Sequence, residues 1–93
     1  MAHEILIVDD EPDIRMLIDG ILNDEGYETR QAGDSDAAIA AFRARRPSLV
    51  VLDVWLQGSR LDGLGLLAAF NSEEPAVPVI MISGHGTIEM AVG

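Results

Sequence analysis

Ninety-three residues at 48% apolar content suffice for one small domain with a real core, and they exclude wholesale disorder. A formal net charge of -10 excludes a chain that grips nucleic acid by itself, because a phosphate backbone calls for a basic face. The six cations are all Arg, there is no Lys and no Cys, and no apolar run is long enough to cross a bilayer.

The N-terminus, Met1-Ala2-His3-Glu4, has neither the basic region nor the hydrophobic stretch of a secretory signal, so a cytoplasmic location away from membranes is expected. Segment 4–9 then reads as a buried strand. Glu11-Pro12 starts a helix, with Pro near the first position, where its missing N–H costs nothing. Ile14, Leu17, Ile18, Ile21 and Leu22 follow the spacing of an amphipathic helix, and Gly26 is a suitable stop.

Tyr27 to Ala32 reads as a more polar strand, suited to a sheet edge. Asp34-Ser35-Asp36 supplies caps for a helix whose inner side carries Ala38, Ile39, Ala41 and Phe42 and which closes at Arg43, Arg45, Arg46 and Pro47. Strand 49–53 follows, then a polar-edged loop over 54–62. Leu64, Leu67, Ala68 and Phe70 suggest a third helix. Val77 to Ile82 is a fourth strand, followed by Ser83-Gly84-His85-Gly86 and the first turn of a helix that stops at Gly93.

Strands and helices alternate through short links, which predicts βαβ units with right-handed crossovers. The apolar runs at 5–8, 49–52 and 79–82 suit strands covered on both faces. The fold class is therefore α/β around a parallel sheet.

Two of these strands run straight into carboxylates, the first into Asp9-Asp10 and the third into Asp53. If the two are neighbours, the three side chains meet in the crevice at the carboxyl ends of the strands, where such sheets bind ligands. Hard oxygen donors in an open site suit Mg²⁺ or Mn²⁺. Each residue alone also has a structural reading, with Asp10 capping the next helix and Asp53 ending a strand at a turn. Capping does not explain three carboxylates at one sheet end. Ser83 leaves the fourth strand at the same end, where its hydroxyl can donate to a phosphoryl oxygen or simply sit in a Gly-rich turn.

Ile5-Leu6-Ile7-Val8-Asp9-Asp10-Glu11-Pro12, Leu49-Val50-Val51-Leu52-Asp53, Asp62-Gly63 and Pro78-Val79-Ile80-Met81-Ile82-Ser83-Gly84-His85-Gly86, in this order, resemble the receiver domain of two-component response regulators. The resemblance covers the whole chain. It implies a flavodoxin-like, doubly wound parallel sheet of order 2-1-3-4. It also implies that Asp53 is the phospho-acceptor, taking phosphorus from the phosphohistidine of a sensor histidine kinase. By the same resemblance Asp10 is a direct Mg²⁺ ligand, Asp9 a ligand through water, the backbone carbonyl of Trp55 the third protein ligand, and Ser83 the switch hydroxyl.

The sequence departs from the family pattern in two places. Gly63 lies ten positions beyond Asp53, and the loop reads Val54-Trp55-Leu56-Gln57-Gly58-Ser59-Arg60-Leu61-Asp62. That loop, with Ser83-Gly84-His85-Gly86, resembles the NtrX branch of nitrogen-related regulators, which implies a σ54-activating ATPase and a DNA-binding helix-turn-helix downstream. The family's Lys and its aromatic switch residue, both tied to a fifth strand, have no counterpart here. Residues 1–93 are therefore expected to be one receiver domain, truncated before the fifth strand and last helix. The fourth strand would then be an apolar edge, open to homodimers, segment-swapped oligomers or aggregation.

Other residues carry two readings each. Trp55 is either a partner-binding aromatic or packing beneath its loop. Arg60 is either a substitute cation at the phosphoryl site or a solvated loop side chain. His85 and His3 read as solvated, and Arg43, Arg45 and Arg46 as screening a helix C-terminus. Two competing functions complete the set. A haloacid-dehalogenase-type Mg²⁺ phosphohydrolase also uses an Asp nucleophile, but it expects an Asp-x-Asp motif on the first strand, and Asp53-Val54-Trp55 lacks it. A receiver-like dimerisation module without phosphorylation would not need the acidic trio. The receiver itself is expected to be no enzyme beyond phosphotransfer onto its own Asp53.

Overall fold

The computed structural model describes residues 3–56 and 60–82, and the backbone of 88–91. Strands β1 (Glu4–Val8), β2 (Glu28–Ala32), β3 (Leu49–Asp53) and β4 (Val79–Ile82) alternate with helices α1 (Pro12–Asp24), α2 (Ser35–Ala44) and α3 (Gly63–Glu73). The first four strands are parallel and lie in the order β2-β1-β3-β4, as the resemblance implies.

Both faces of this sheet are covered, and the alternation along β1 shows how. Leu6 and Val8 point to one face, where they join Val50, Leu52, Val79 and Met81 beneath Phe42 of α2 and Leu66 and Phe70 of α3. Ile5 and Ile7 point to the other, with Val51 and the half-buried Ile18 and Leu22 of α1. Phe42 and Phe70 stack at 4.4 Å between ring centroids, which ties α2 to α3.

The helix boundaries follow local chemistry. The Asp34 carboxylate accepts from the Ala37 amide at 2.7 Å and starts α2, and Asp62 does the same for α3 through the Gly65 amide at 2.8 Å. At the end of α1 the Gly26 amide donates to Asn23 at 3.0 Å and the Tyr27 amide to Leu22 at 3.1 Å. That double closure needs a left-handed residue, and Gly26 supplies it at φ 91°.

The structure departs from the sequence pattern in three places. Within α3 the buried side chains are Leu66 and Phe70, whereas Leu64 and Ala68 face solvent. Along α1 no residue is fully buried, and Leu17 and Ile21 stand 60% and 56% exposed, because α1 lies over the smaller of the two clusters.

The third departure concerns the tail and corrects an expectation. Instead of a bare β4 edge and a helical turn, residues Ile88–Ala91 form β5, which pairs antiparallel with β4, Val79 opposite Ala91 and Ile82 opposite Ile88. An unpaired strand edge presents a row of free backbone donors and acceptors, and the 88–91 segment satisfies those of β4. The Ser83 and His85 expectations lie outside the described residues.

Arginines gather at the opposite end of the sheet from the acidic residues. Glu4, buried at the start of β1, pairs with Arg30 at 2.6 Å and with Arg45. Arg43 reaches Glu73 of α3 at 2.5 Å and Arg46 lies over the Phe42 ring, so these arginines tie elements together as well as closing α2.

Leu17→Ser with Ile21→Ser removes exposed apolar surface without opening a cavity. It should change the unfolding free energy in urea by no more than about 0.5 kcal/mol while lowering self-association in light scattering.

Candidate functional site

Register decides where the carboxylates go. Val8 of β1 lies opposite Leu52 of β3 and Ala32 of β2, so the residues that follow leave the sheet at one level. Asp9 and Asp53 are buried there and Asp10 is half-buried. One carboxylate oxygen from each of the three lies within 4.8 Å of the others. The sequence thus predicts a cluster that the fold assembles.

Local hydrogen bonds aim the side chains. Asp9 Oδ1 accepts from the Glu11 amide at 2.9 Å, and Asp53 Oδ1 accepts from the Trp55 amide at 3.1 Å. The Asp9 amide donates to the Ala32 carbonyl at 3.2 Å, fastening the end of β1 to that of β2. Arg15, in the first turn of α1, donates from Nη1 to the Asp9 carbonyl at 2.7 Å. The sequence reading passed over Arg15. Its only signal was a place in the first helical turn after an acidic strand end.

Gly63 is held by close packing. A Cβ there would sit 2.5 Å from the Asp53 carbonyl oxygen and 2.6 Å from Val54 Cα, so the start of α3 rests directly on the end of β3. Only a glycine fits. The family-type Asp62-Gly63 pair therefore has a physical meaning: the first residue caps α3, and the second lets α3 approach the strand that carries Asp53.

Electrostatically the trio is unbalanced. Burial raises the carboxyl pKa of Asp53 above its ordinary value of 3.8, against the Trp55 amide, and the neighbouring Asp9 and Asp10 push it the same way. Burial likewise raises Asp9, opposed by the Glu11 amide and assisted by Asp10 and Glu11, with Arg15 pulling weakly down. Hard oxygen donors whose charges repel are a donor set suited to a small divalent cation.

The flanking residues sort themselves. Trp55 is 59% exposed, and with Val54, Leu56, Asp62 and Leu64 it lines a shallow cleft of about 150 Å³. Leu56, rather than Trp55, packs beneath the loop. Arg60 donates from Nε to Asp36 at 3.0 Å, so at this surface it is paired with α2.

A doubly wound parallel sheet with three carboxylates at the carboxyl ends of β1 and β3 defines a receiver-type protein. The family model of the response regulator receiver domain matches residues 5–93, and the chain belongs to that family. It is 66% identical over 92 residues to the nitrogen assimilation regulatory protein NtrX of Azorhizobium caulinodans, covering 99% of this chain and 20% of that protein. The chain thus spans about a fifth of the length of the NtrX and NtrX-like relatives it matches.

Among solved structures, the receiver domain of NtrX from Brucella abortus superposes at a TM-score of 0.85 with 63% identity, over 88% of this chain and 68% of that one. A response regulator, TrrA, from Thermotoga maritima, solved in complex with Mg²⁺–BeF, superposes at 0.82 with 32% identity, over 91% and 73%. Family membership decides against the haloacid-dehalogenase fold. Among the described residues no helix is long and apolar enough to cross a membrane.

Two outcomes follow from this geometry. Asp9 and Asp53 ionise less readily folded than unfolded, so their contribution is fully present below the unfolded value and is lost as pH rises through the raised folded values. Asp53→Asn in metal-free buffer at pH 8 should therefore raise the thermal midpoint, by roughly 4–8 °C for each kcal/mol of repulsion removed, and the gain should shrink toward about pH 4. Gly63→Ala should cost about 1–3 kcal/mol in urea unfolding, because backbone rather than a flexible side chain must move.

Proposed function

We propose that this receiver domain is phosphorylated on Asp53 by a sensor histidine kinase and that a divalent cation, Mg²⁺ with Mn²⁺ as a substitute, binds at Asp9, Asp10 and Asp53. The observation that carries the reading is the convergence of these three buried or half-buried carboxylates. The fit of the donor set and the Mg²⁺–BeF complex of the Thermotoga relative support the cation. Asp10 would be a direct ligand, Asp9 a ligand through water and the Trp55 backbone carbonyl the third protein ligand.

An Asp53 carboxylate oxygen attacks the phosphorus of a phosphohistidine. The new O–P bond forms as the P–N bond breaks, and the imidazole keeps the electron pair. When bound, the cation supplies charge neutralisation and alignment of the transferring group. The Trp55 amide, already on Asp53 Oδ1, orients the nucleophile. Ser83 then serves as the switch hydroxyl, and the chain transfers phosphorus only onto itself.

We extend this reading to the whole protein. The NtrX relative supports an output in nitrogen regulation. The resemblance adds σ54-dependent transcription with DNA contacted by another domain, in keeping with the net charge of -10. Two-component signalling of this kind supports a cytoplasmic location. The bare apolar stripe of Leu17 and Ile21 on α1 supports a receiver domain that is completed by further chain or by a second copy.

Incubation with Mg²⁺ and a small acyl phosphate, alone and within the full-length parent, should add one phosphoryl group by intact mass. Asp53→Asn should abolish the adduct. An adduct that survives the substitution would refute Asp53 as acceptor, and steady turnover of a phosphate ester would point to a hydrolase.

A further inference from the structure

Arg15 makes an unusual choice of partner. Glu11 and Asp19 lie four residues before and after it along α1, the spacing at which helical ion pairs form. Among the described residues it forms no ion pair, and its Nη1 instead donates to the Asp9 backbone carbonyl at 2.7 Å. That carbonyl belongs to the peptide joining Asp9 to Asp10. Holding it fixes the plane from which both carboxylates project.

The space for this contact comes from Gly33, in the loop after β2. A Cβ on Gly33 would lie 3.0 Å from Arg15 Nη1 and 3.5 Å from Cζ. Its φ lies outside the left-handed region, so backbone conformation does not demand glycine there. A side chain there would instead press on the guanidinium, which would have to shift to make room. Asp9 is consequently held at three atoms: its amide by the Ala32 carbonyl, its carbonyl by Arg15, and Oδ1 by the Glu11 amide.

We propose that Arg15 is a positioning residue for the cation site, acting through the Asp9–Asp10 peptide, and that Gly33 is kept small to admit it. The proposal rests on the reading of the acidic trio as a cation site. It opposes a simpler effect. A guanidinium near the site repels an incoming cation, so loss of charge alone would tighten binding, whereas loss of positioning weakens it. The two have opposite signs.

Calorimetric titration with Mg²⁺ decides between them, using the wild-type chain, Arg15→Gln, Arg15→Lys, Gly33→Val and the Arg15→Gln/Gly33→Val pair, with melting curves in EDTA alongside. Arg15→Gln should weaken Mg²⁺ binding about tenfold, the lower end of the effect of outer-shell substitutions. Arg15→Lys, whose ammonium still reaches the carbonyl, should recover most of that loss. Gly33→Val should weaken binding although every charge remains, and the double variant should be no weaker than Arg15→Gln alone, since both act on one contact.

Unchanged or tighter binding by Arg15→Gln, or losses that multiply in the double variant, would overturn the proposal. If Arg15→Gln does not fold in EDTA, Gly33→Val carries the test, and wild-type affinity in that variant overturns the proposal. A wild-type chain that binds no Mg²⁺ would overturn the cation site itself. A wild type that binds, with Arg15→Gln unaffected, would overturn only the role of Arg15.

Discussion

Everything at the functional end of this molecule depends on parallel pairing of β1 with β3 in one register. With Val8 opposite Leu52, the next residues along each strand are Asp9 and Asp53, and the fold must bury two carboxylates side by side. A slip of one residue would turn those side chains to the opposite faces of the sheet. The register is fixed by apolar burial on both faces, through Leu6, Val8, Val50 and Leu52 on one side and Ile5, Ile7 and Val51 on the other. Hydrophobic packing thus holds together charges that would separate if free to do so.

The two ends of β1 treat charge differently. Glu4, at its start, is buried, and although burial works to raise its pKa, Arg45 and Arg30 outweigh it and leave Glu4 below the ordinary value of 4.5. Glu4 therefore stabilises the fold above its unfolded pKa and loses that contribution as pH falls. At the other end the hydrogen bonds to the Asp9 and Asp53 carboxylates come from amides, Arg15 binds the Asp9 backbone carbonyl rather than a carboxylate, and burial carries both shifts upward. Arg30 and Arg45 secure the end of the sheet remote from the trio, while the carboxylates of the trio have no ion-pair partner among the described residues. That division leaves at the trio a set of hard oxygen donors of a kind that suits a small divalent cation.

Legibility in the sequence followed contrast. The strands and the parallel core were readable because continuous β-branched and Leu runs break sharply at Asp and Pro, and the carboxylates fell at those breaks. α2 was readable because charge brackets it, Asp34 and Asp36 before the apolar stretch and Arg43 after it, with Ala38 and Phe42 four apart on its buried side. α3 was readable as a helix but its buried face was not, because Gly63-Leu64-Gly65-Leu66-Leu67-Ala68-Ala69-Phe70 is apolar nearly all round, and periodicity without contrast selects no face. Its face was chosen by the contact of Gly63 with the end of β3, a tertiary constraint. The antiparallel β5 was hidden likewise, since Ile88-Glu89-Met90-Ala91 carries no local strand signal and is placed by the free edge of β4.

Arg15 shows why the support of a carboxylate cluster is harder to read than the carboxylates themselves. Carboxylates at strand ends announce themselves by residue type, whereas a guanidinium bonded to a main-chain carbonyl looks in sequence like any helical surface Arg. Gly33 beside it looks like any loop glycine. Only their juxtaposition has meaning, and it exists because β1 and β2 pair so that Val8 lies opposite Ala32, which puts Gly33 level with Asp9. The register that gathers the carboxylates therefore also builds the clamp that aims two of them. Positioning of the site and stability of the sheet are consequently parts of one constraint.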